Sequence, residues 1–376
     1  MRPNYTEIKT QEELADILSQ PADVPLRRIA FHGVDLREFS QQALSRTYNQ
    51  CLFLACQLPH GLKRRLTDSL VFPNMGELFH FRTKLYTANT LYEGYRVGEP
   101  QSLASSFDGR VYKHYLERGK QSTDIKETLA RTLHDHSISI ALHRFLDQFK
   151  EYDIVGVMGG HQLSRTESHY ASIARISKEL TERGKIMITG VGPGAMEATH
   201  LGAWMAGRSM EELDNALALL AEAPHFTDER WLDCAFLVRQ NWPQEHGFVS
   251  LGIPTWLYGH EPSTPLATHI AKYFDNSIRE DGILMIAKGG IIYTPGSAGT
   301  LQEIFQDAVQ NHYLSFGYAS PMIFMDEAYW TKEVPVYPLI QELISKGRYK
   351  NLIISIADSP QPIIDAIMNF VPYLTS

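Results

Sequence analysis

The stretch Gly290-Ile291-Ile292-Tyr293-Thr294-Pro295-Gly296-Ser297-Ala298-Gly299-Thr300-Leu301-Gln302-Glu303 decides the fold. Its apolar run, bounded by glycine on one side and Thr-Pro-Gly on the other, reads as a short strand buried on both faces. The small residues after Pro295 read as a loop, and residues 300–313 read as a helix. A strand that feeds a glycine loop and then a helix aims free backbone N–H groups at whatever lies above the strand end. The helix dipole adds partial positive charge there. Gly296, Ser297, Ala298, Gly299 and Thr300 are therefore candidate phosphate contacts. Thr300 is expected at the N-cap, with Glu303 in the first helical turn. A capping box between those two is the structural alternative to a ligand contact. No lysine follows the second glycine, so the loop is not the GxxxxGK[ST] phosphate loop.

The same unit recurs upstream. Ile154-Val155-Gly156-Val157-Met158 runs into Gly159-Gly160, and residues 166–183 have helical spacing, with Gly184 as C-cap. Ile186-Met187-Ile188 then leads through Gly190-Val191-Gly192-Pro193-Gly194 into a helix over 195–206. Further helices are expected at 209–223, 265–278, 336–346 and 361–370, and strands at 248–253, 322–325 and 352–356. This alternation predicts an α/β fold, a Rossmann-like doubly wound parallel sheet over residues 151–376. Loops in such a sheet converge on the carboxyl ends of the strands. Gly159, Gly160, His161, Gly192 and Gly194 thus join the candidate nucleotide contacts. The 190–194 loop is GxGxG, not GxGxxG, and the acids at the dinucleotide distance, Glu211 and Glu212, fall in a helix. A dinucleotide site is not expected.

Residues 1–150 lack this alternation and form an N-terminal accessory region, regulatory or oligomeric in role. A short helix is expected at 11–18 and a long one at 123–149. Phe31-His32-Gly33-Val34-Asp35-Leu36 and Cys51-Leu52-Phe53-Leu54 hint at turns of a small β-solenoid, but two imperfect copies do not establish a repeat. His134 and His136 stand two apart on the long helix and do not share a face, so no metal site is expected there.

Composition narrows the function classes. A hydrophobic content of 44% with 21% charged residues is enough to bury an ordinary core. The net charge of −8 and a pI near 6.0 argue against a nucleic-acid footprint, which is basic. Cys51, Cys56 and Cys234 have no CxxC spacing and give neither a disulfide framework nor a zinc site. The polar N-terminal stretch has no signal-like apolar run, and no window reaches membrane-spanning length. The expectation is a reduced, cytoplasmic protein with no membrane partner.

Residues 295–303 resemble the PGGxGTxxE hallmark of the LOG family, also labelled lysine decarboxylase-like, with Ser297 in place of the second glycine. Gly192-Pro193-Gly194-Ala195-Met196-Glu197-Ala198 is similar to the family's earlier glycine loop, in wording closest to the nucleotide 5′-monophosphate nucleosidases. The resemblance covers about residues 150–370. It implies a phosphoribohydrolase that cleaves the N-glycosidic bond of a nucleoside 5′-monophosphate to free base and ribose 5-phosphate. It also implies a homodimer or higher homo-oligomer, and no cofactor. By the same resemblance the loop holds the 5′-phosphate, Glu303 contacts ribose and assists water attack, and an upstream arginine serves the reaction. Arg279 is the candidate, one place from the family's spacing. His161, Arg165 and Glu197 are candidate base-side or ribose-side contacts; Asn276, His312 and Tyr313 are further candidates for the pocket wall. The decarboxylase label would need a Schiff-base lysine with its partner acid, and only Lys288 lies near the loop. A non-catalytic nucleotide sensor or carrier on the same fold is the alternative.

Overall fold

The structure, a computed structural model, describes residues 5–372. It divides into two compact units: residues 5–84 with Gln121–Ala141, and Leu85–Lys120 with residues 142–372.

The first unit is a short coil of parallel strands. β1 (Thr6–Ile8) leads into helix α1 (Gln11–Ser19), which Thr10 and Glu13 start with a reciprocal capping box. β2 (Leu26–Arg27), β3 (Ile29–His32), α2 (Ser40–Ser45), β4 (Tyr48–Asn49), β5 (Leu52–Leu54) and β6 (Leu70–Phe72) follow. β1, β3, β5 and β6 pair in that order, all parallel, and β2 pairs with β4. Each pass of roughly 20 residues therefore brings the chain back beside its previous strand, the geometry of a solenoid. Ile8, Phe31 and Phe53 point to one side and pack on Leu14, Leu18 and Leu36. The Phe31 and Phe53 rings stack 4.8 Å apart. The two fragments that hinted at solenoid turns are β3 with the turn after it, and β5.

The second unit begins with two helices, α3 (Ala88–Leu91) and α4 (Phe107–Arg118). Helix α5 (Ile125–Leu146) spans the boundary in sequence. The sheet then starts at β7 (Ile154–Met158), followed by α6 (Ser168–Glu182), β8 (Ile186–Thr189), α7 (Ala195–Trp204), α8 (Met210–Leu220), α9 (Trp231–Asn241), β9 (Ser250–Gly252) and β10 (His269–Ile270). After these come α10 (Asn276–Ile286), β11 (Ile291–Tyr293), α11 (Ala298–His312), β12 (Pro321–Met325), α12 (Val336–Ser345), β13 (Ile353–Ala357) and α13 (Pro360–Met368). The seven strands are all parallel, in the order β10-β9-β8-β7-β11-β12-β13. The fold is α/β, a Rossmann-like doubly wound sheet with an N-terminal accessory unit. Winding runs outward from β7 through β10, returns to β7's other side at β11, and runs outward again. The order therefore reverses between β7 and β11, where such sheets open a crevice.

Two sequence expectations need correction here. Residues 265–278 are not one helix. Residues 265–274 hold a turn at 265–266 and the edge strand β10, and the helix starts only at Asn276, capped by Asp275. Leu266, Ala267, Ile270, Ala271, Tyr273 and Phe274 are all buried, a near-continuous run that no one-sided helix could hide. Residues 85–120 belong with the sheet, not with the accessory unit. Tyr86 exchanges both backbone bonds with Ile270 (2.9 and 2.8 Å), and buried Asp108 accepts from Trp256 Nε1 (2.8 Å) and Lys272 Nζ (2.6 Å). A further helix, α9, follows α8 in a stretch whose sequence predicts no element.

No helix among the described residues is long and apolar enough to cross a membrane.

Candidate functional site

The loops that follow β7 and β11 meet at the reversal point. Gly160 N–H donates to Pro295 O (3.0 Å), and Thr294 N–H donates to Met158 O (2.8 Å). Ala195 N–H, at the start of α7, donates to Gly160 O (3.2 Å), and Tyr329 Oη donates to Gly296 O (2.7 Å). Three glycine loops are thus laced into one platform. Above it lies a cavity of about 380 Å³.

One wall of the cavity is the start of α11. The helix begins at Ala298, with Ser297 at the N-cap making no capping bond through its side chain. Ser297, Ala298 and Gly299 are exposed and line the cavity, while Thr300 lines it from a buried position. The first N–H groups of a helix have no intrahelical acceptor, so this end offers donors and a positive dipole to an anion. Thr300 is therefore not the N-cap, and no capping box ties Glu303 to it. Because the helix starts earlier than expected, Glu303 sits in its second turn.

That shift places Glu303 beside Arg279 of the adjacent helix α10. Arg279 Nη1 stands 3.9 Å from Glu303 Oε1, and both side chains are mostly out of solvent. Burial pushes the Glu303 carboxyl above the ordinary carboxylate range; Arg279 opposes the shift and Glu280 adds to it. Glu280 lines the same cavity and accepts from Asn276 Nδ2.

The structure brings Gly159, Gly160, His161, Ser297, Ala298, Gly299, Thr300, Arg279 and Glu303 to one cavity. Gly296 is buried within the platform and does not border the cavity. Gly192 and Gly194 do not border the cavity; Gly190 does instead. Gly194 borders a neighbouring hollow of about 310 Å³ that shares His161. It has φ +71°, and a Cβ there would run into the backbone of Gly160 and His161.

Glu197 is corrected from the contact set. Helix α7 is buried almost all round, and the Glu197 carboxylate is fully enclosed. It accepts from Arg165 Nη2 (2.6 Å) and Nε (2.8 Å), from Tyr170 Oη (2.9 Å) and from Thr264 Oγ1 (3.2 Å). The buried Arg165 guanidinium stacks 4.5 Å from the Trp231 ring. This pair holds the scaffold. His312 and Tyr313 sit at the opposite end of α11, where His312 Nδ1 accepts the Lys350 N–H and Tyr313 is largely exposed. Lys288 pairs with Glu151 at the surface, 2.5 Å away. Among the described residues no group of His, Cys, Asp or Glu is placed to hold a metal ion.

Sequence reasoning missed Tyr258, Glu261 and Glu280, all on the cavity wall. Tyr258 and Glu261 come from the loop after β9, which carries no glycine signature. Glu261 Oε1 lies 3.8 Å from His161 Nε2. Glu280 was legible only to a reading that started α10 at Asn276.

No family model matches the chain, and no curated protein matches it. Among solved structures it is similar to the molybdenum cofactor binding protein of the phototrophic bacterium Rippkaea orientalis, at 15% identity over 57% of this chain and 95% of that one, with a TM-score of 0.34. It is also similar to the structural-genomics target TM1055, at 17% identity over 58% and 99%, with a TM-score of 0.36. The molybdenum cofactor carrier protein of Chlamydomonas reinhardtii matches at 14% identity over 57% and 96%, with a TM-score of 0.32. Likenesses this loose carry neither an activity nor a ligand across.

Proposed function

We propose that the second unit hydrolyses the N-glycosidic bond of a nucleoside 5′-monophosphate, releasing free base and ribose 5-phosphate. The observation that carries this reading is the largely shielded Glu303 carboxylate, set against Arg279 in the same cavity as the open N-terminus of α11. A helix rise of 1.5 Å per residue separates Ala298 from Glu303 by about 7.5 Å along the axis, the scale of a ribose phosphate.

The 5′-phosphate binds the N–H groups of Ser297, Ala298, Gly299 and Thr300. The ribose lies over Glu303, and His161, Tyr258 and Glu261 remain for the base. As the bond from C1′ to the base nitrogen lengthens, its electron pair leaves with the base and positive charge grows on the ribose. A desolvated carboxylate beside C1′ stabilises that charge more strongly than it would in water. Glu303 accepts the proton of the attacking water as the new C1′–O bond forms, and its raised pKa makes it the stronger base. Arg279 keeps the carboxylate charged before the reaction. The departing base takes up a proton from solvent and Glu303 gives the one it gained back to solvent, which restores the site; the family resemblance of residues 192–198 and 295–303 supports the same reaction class.

The test is a panel of nucleoside monophosphates with free base and ribose 5-phosphate assayed together, wild type beside Glu303→Ala. Base release by the wild type that disappears in the variant, with inorganic phosphate still bound, supports hydrolysis. Undiminished release by Glu303→Ala overturns the role of that residue. No release from any monophosphate, with binding still seen as a thermal shift, replaces hydrolysis by non-catalytic nucleotide carriage.

A further inference from the structure

The first unit holds a cavity of its own, of about 420 Å³, that the proposed reaction does not use. Strand register explains its chemistry. Phe31 and Phe53 point into the core, so their neighbours along each strand point the other way. Pairing aligns Glu7, Ala30, Leu52 and Leu70 in one row on that outer face, and His32, Leu54 and Phe72 in the next. Phe81 and one face of helix α5, with Leu133, His136 and Ile140 at helical spacing, close over these rows. A solenoid sheet normally shows such a face to water, yet this one is apolar in all but a few positions.

The polar side chains of the lining are Tyr5, Glu7, His32 and His136, and of these only His32 is buried. It is only 5% exposed, and neither ring nitrogen has a hydrogen-bond partner. Glu7 Oε2 comes within 3.3 Å of Nε2, but the approach forms no hydrogen bond. Burial, and then the charge of Lys9, push the His32 pKa down to about 4, so the ring is neutral in ordinary conditions. A neutral imidazole offers one N–H donor and one bare acceptor. Leaving such groups buried and unbonded is unfavourable, because the water they lose is not replaced. Water is a poor remedy, because a cavity water needs several polar partners and these walls offer few.

We infer that this cavity is a binding site for a small, uncharged, mostly apolar molecule, of the class of a substituted aromatic ring system, that hydrogen-bonds to His32. The volume lies within the range of small-molecule pockets. Apolar walls would strip the hydration from a charged ligand without replacing it. Glu7, already paired with Lys9 at 3.1 Å, disfavours an anion at the same place.

The probe is N-phenyl-1-naphthylamine, an uncharged aromatic amine whose emission rises on leaving water, titrated into the full chain. Its N-methyl derivative, which has no N–H to give, is titrated beside it. Saturable binding at one site is expected, with the N–H probe favoured about tenfold, the worth of one hydrogen bond. His32→Leu should erase that preference. Ala30→Phe places a ring in the cavity and should abolish binding of both probes. Should Ala30→Phe fail to fold by circular dichroism, Leu70→Arg on the exposed rim makes the same test. Emission that does not saturate overturns the proposal. Equal affinity of the two probes in the wild type does so too, as does binding that survives the cavity variant in a folded chain.

Discussion

Arg279 Nη1 stands 3.9 Å from Glu303 Oε1, across the two helices that precede and follow one strand, β11. Neither helix would bring its charge to this point alone, and Arg279 is the charge that opposes the upward shift of the largely shielded carboxylate. Removing it has a directional consequence. In Arg279→Gln the Glu303 pKa rises further, because burial and Glu280 are left unopposed. A base must be deprotonated to act, so the acid limb of the pH profile for base release should move to higher pH. Turnover at neutral pH should fall by roughly 10²-fold or more. An acid limb that stays in place would show that Arg279 does not set the charge of Glu303.

Glu197 and Glu303 offer a contrast between a carboxylate that holds the fold and one that does not. Removing the Glu197 charge leaves the Arg165 guanidinium buried with no counter-charge, at a cost of about 3–5 kcal/mol. Glu303 is destabilised by its surroundings, so Glu303→Gln should leave unfolding free energy unchanged or raise it. Urea denaturation of the two single variants measures both. Equal losses would mean that Glu197 does not bear the scaffold role assigned to it.

The sheet was legible because a doubly wound fold repeats one local signal. A buried strand such as residues 154–158, a glycine loop and an amphipathic helix can each be recognised without the others. Its edge was not legible: residues 265–274 bury Leu266, Ile270 and Phe274 through contacts that lie far off in sequence, with Tyr86 supplying the ladder partner. The solenoid was nearly invisible, since its coils differ in length and only the Phe31 and Phe53 turns share a pattern. At the site, the motif located Glu303 and the loop. Motif order alone could not separate Gly194, which packs loop on loop, from Gly299, which faces open space. Glu197 misled for the same reason: a charged residue just after a glycine loop points toward a ligand or into the core depending on which face of its helix is covered.

Asp307 makes stability depend on pH. It lies one turn beyond Glu303 on α11, fully enclosed, and burial lifts its pKa to about 7 while the Tyr293 hydroxyl at 2.8 Å opposes the shift. Unfolded, an aspartate titrates near 3.9. The folded chain therefore binds a proton that the unfolded chain has lost between about pH 4 and pH 7. The contribution is fully present below the lower value and is lost as pH rises through the upper one. At its limit the swing is on the order of 4 kcal/mol. An asparagine side chain cannot titrate, so Asp307→Asn should flatten this part of the stability profile. The readout is the slope of unfolding free energy from pH 5 to pH 8, because Asn311 Nδ2 also donates to Asp307 and the substitution disturbs that bond. A variant with an unchanged slope would place the titrating group elsewhere.

Gly194 and Gly299 separate the two uses of glycine at this site. Gly194 has φ +71°, a backbone region that side chains rarely adopt, and a Cβ would meet the His161 carbonyl at 3.0 Å and crowd Gly160 O. Gly194→Ala must both strain the backbone and push the α7 loop off the loop after β7. It should cost about 1–3 kcal/mol and, by moving His161 and Gly160, weaken nucleotide binding as well. Gly299 is helical and a Cβ there meets nothing within 4 Å. Gly299→Ala should hold stability or add about 1 kcal/mol through helix propensity. Its methyl group would still stand where the phosphate is proposed to bind, so affinity for inorganic phosphate should fall while the thermal midpoint does not. If phosphate binds Gly299→Ala as tightly as it binds the wild type, the N-terminus of α11 is not the phosphate site, whatever Gly194→Ala does to the fold.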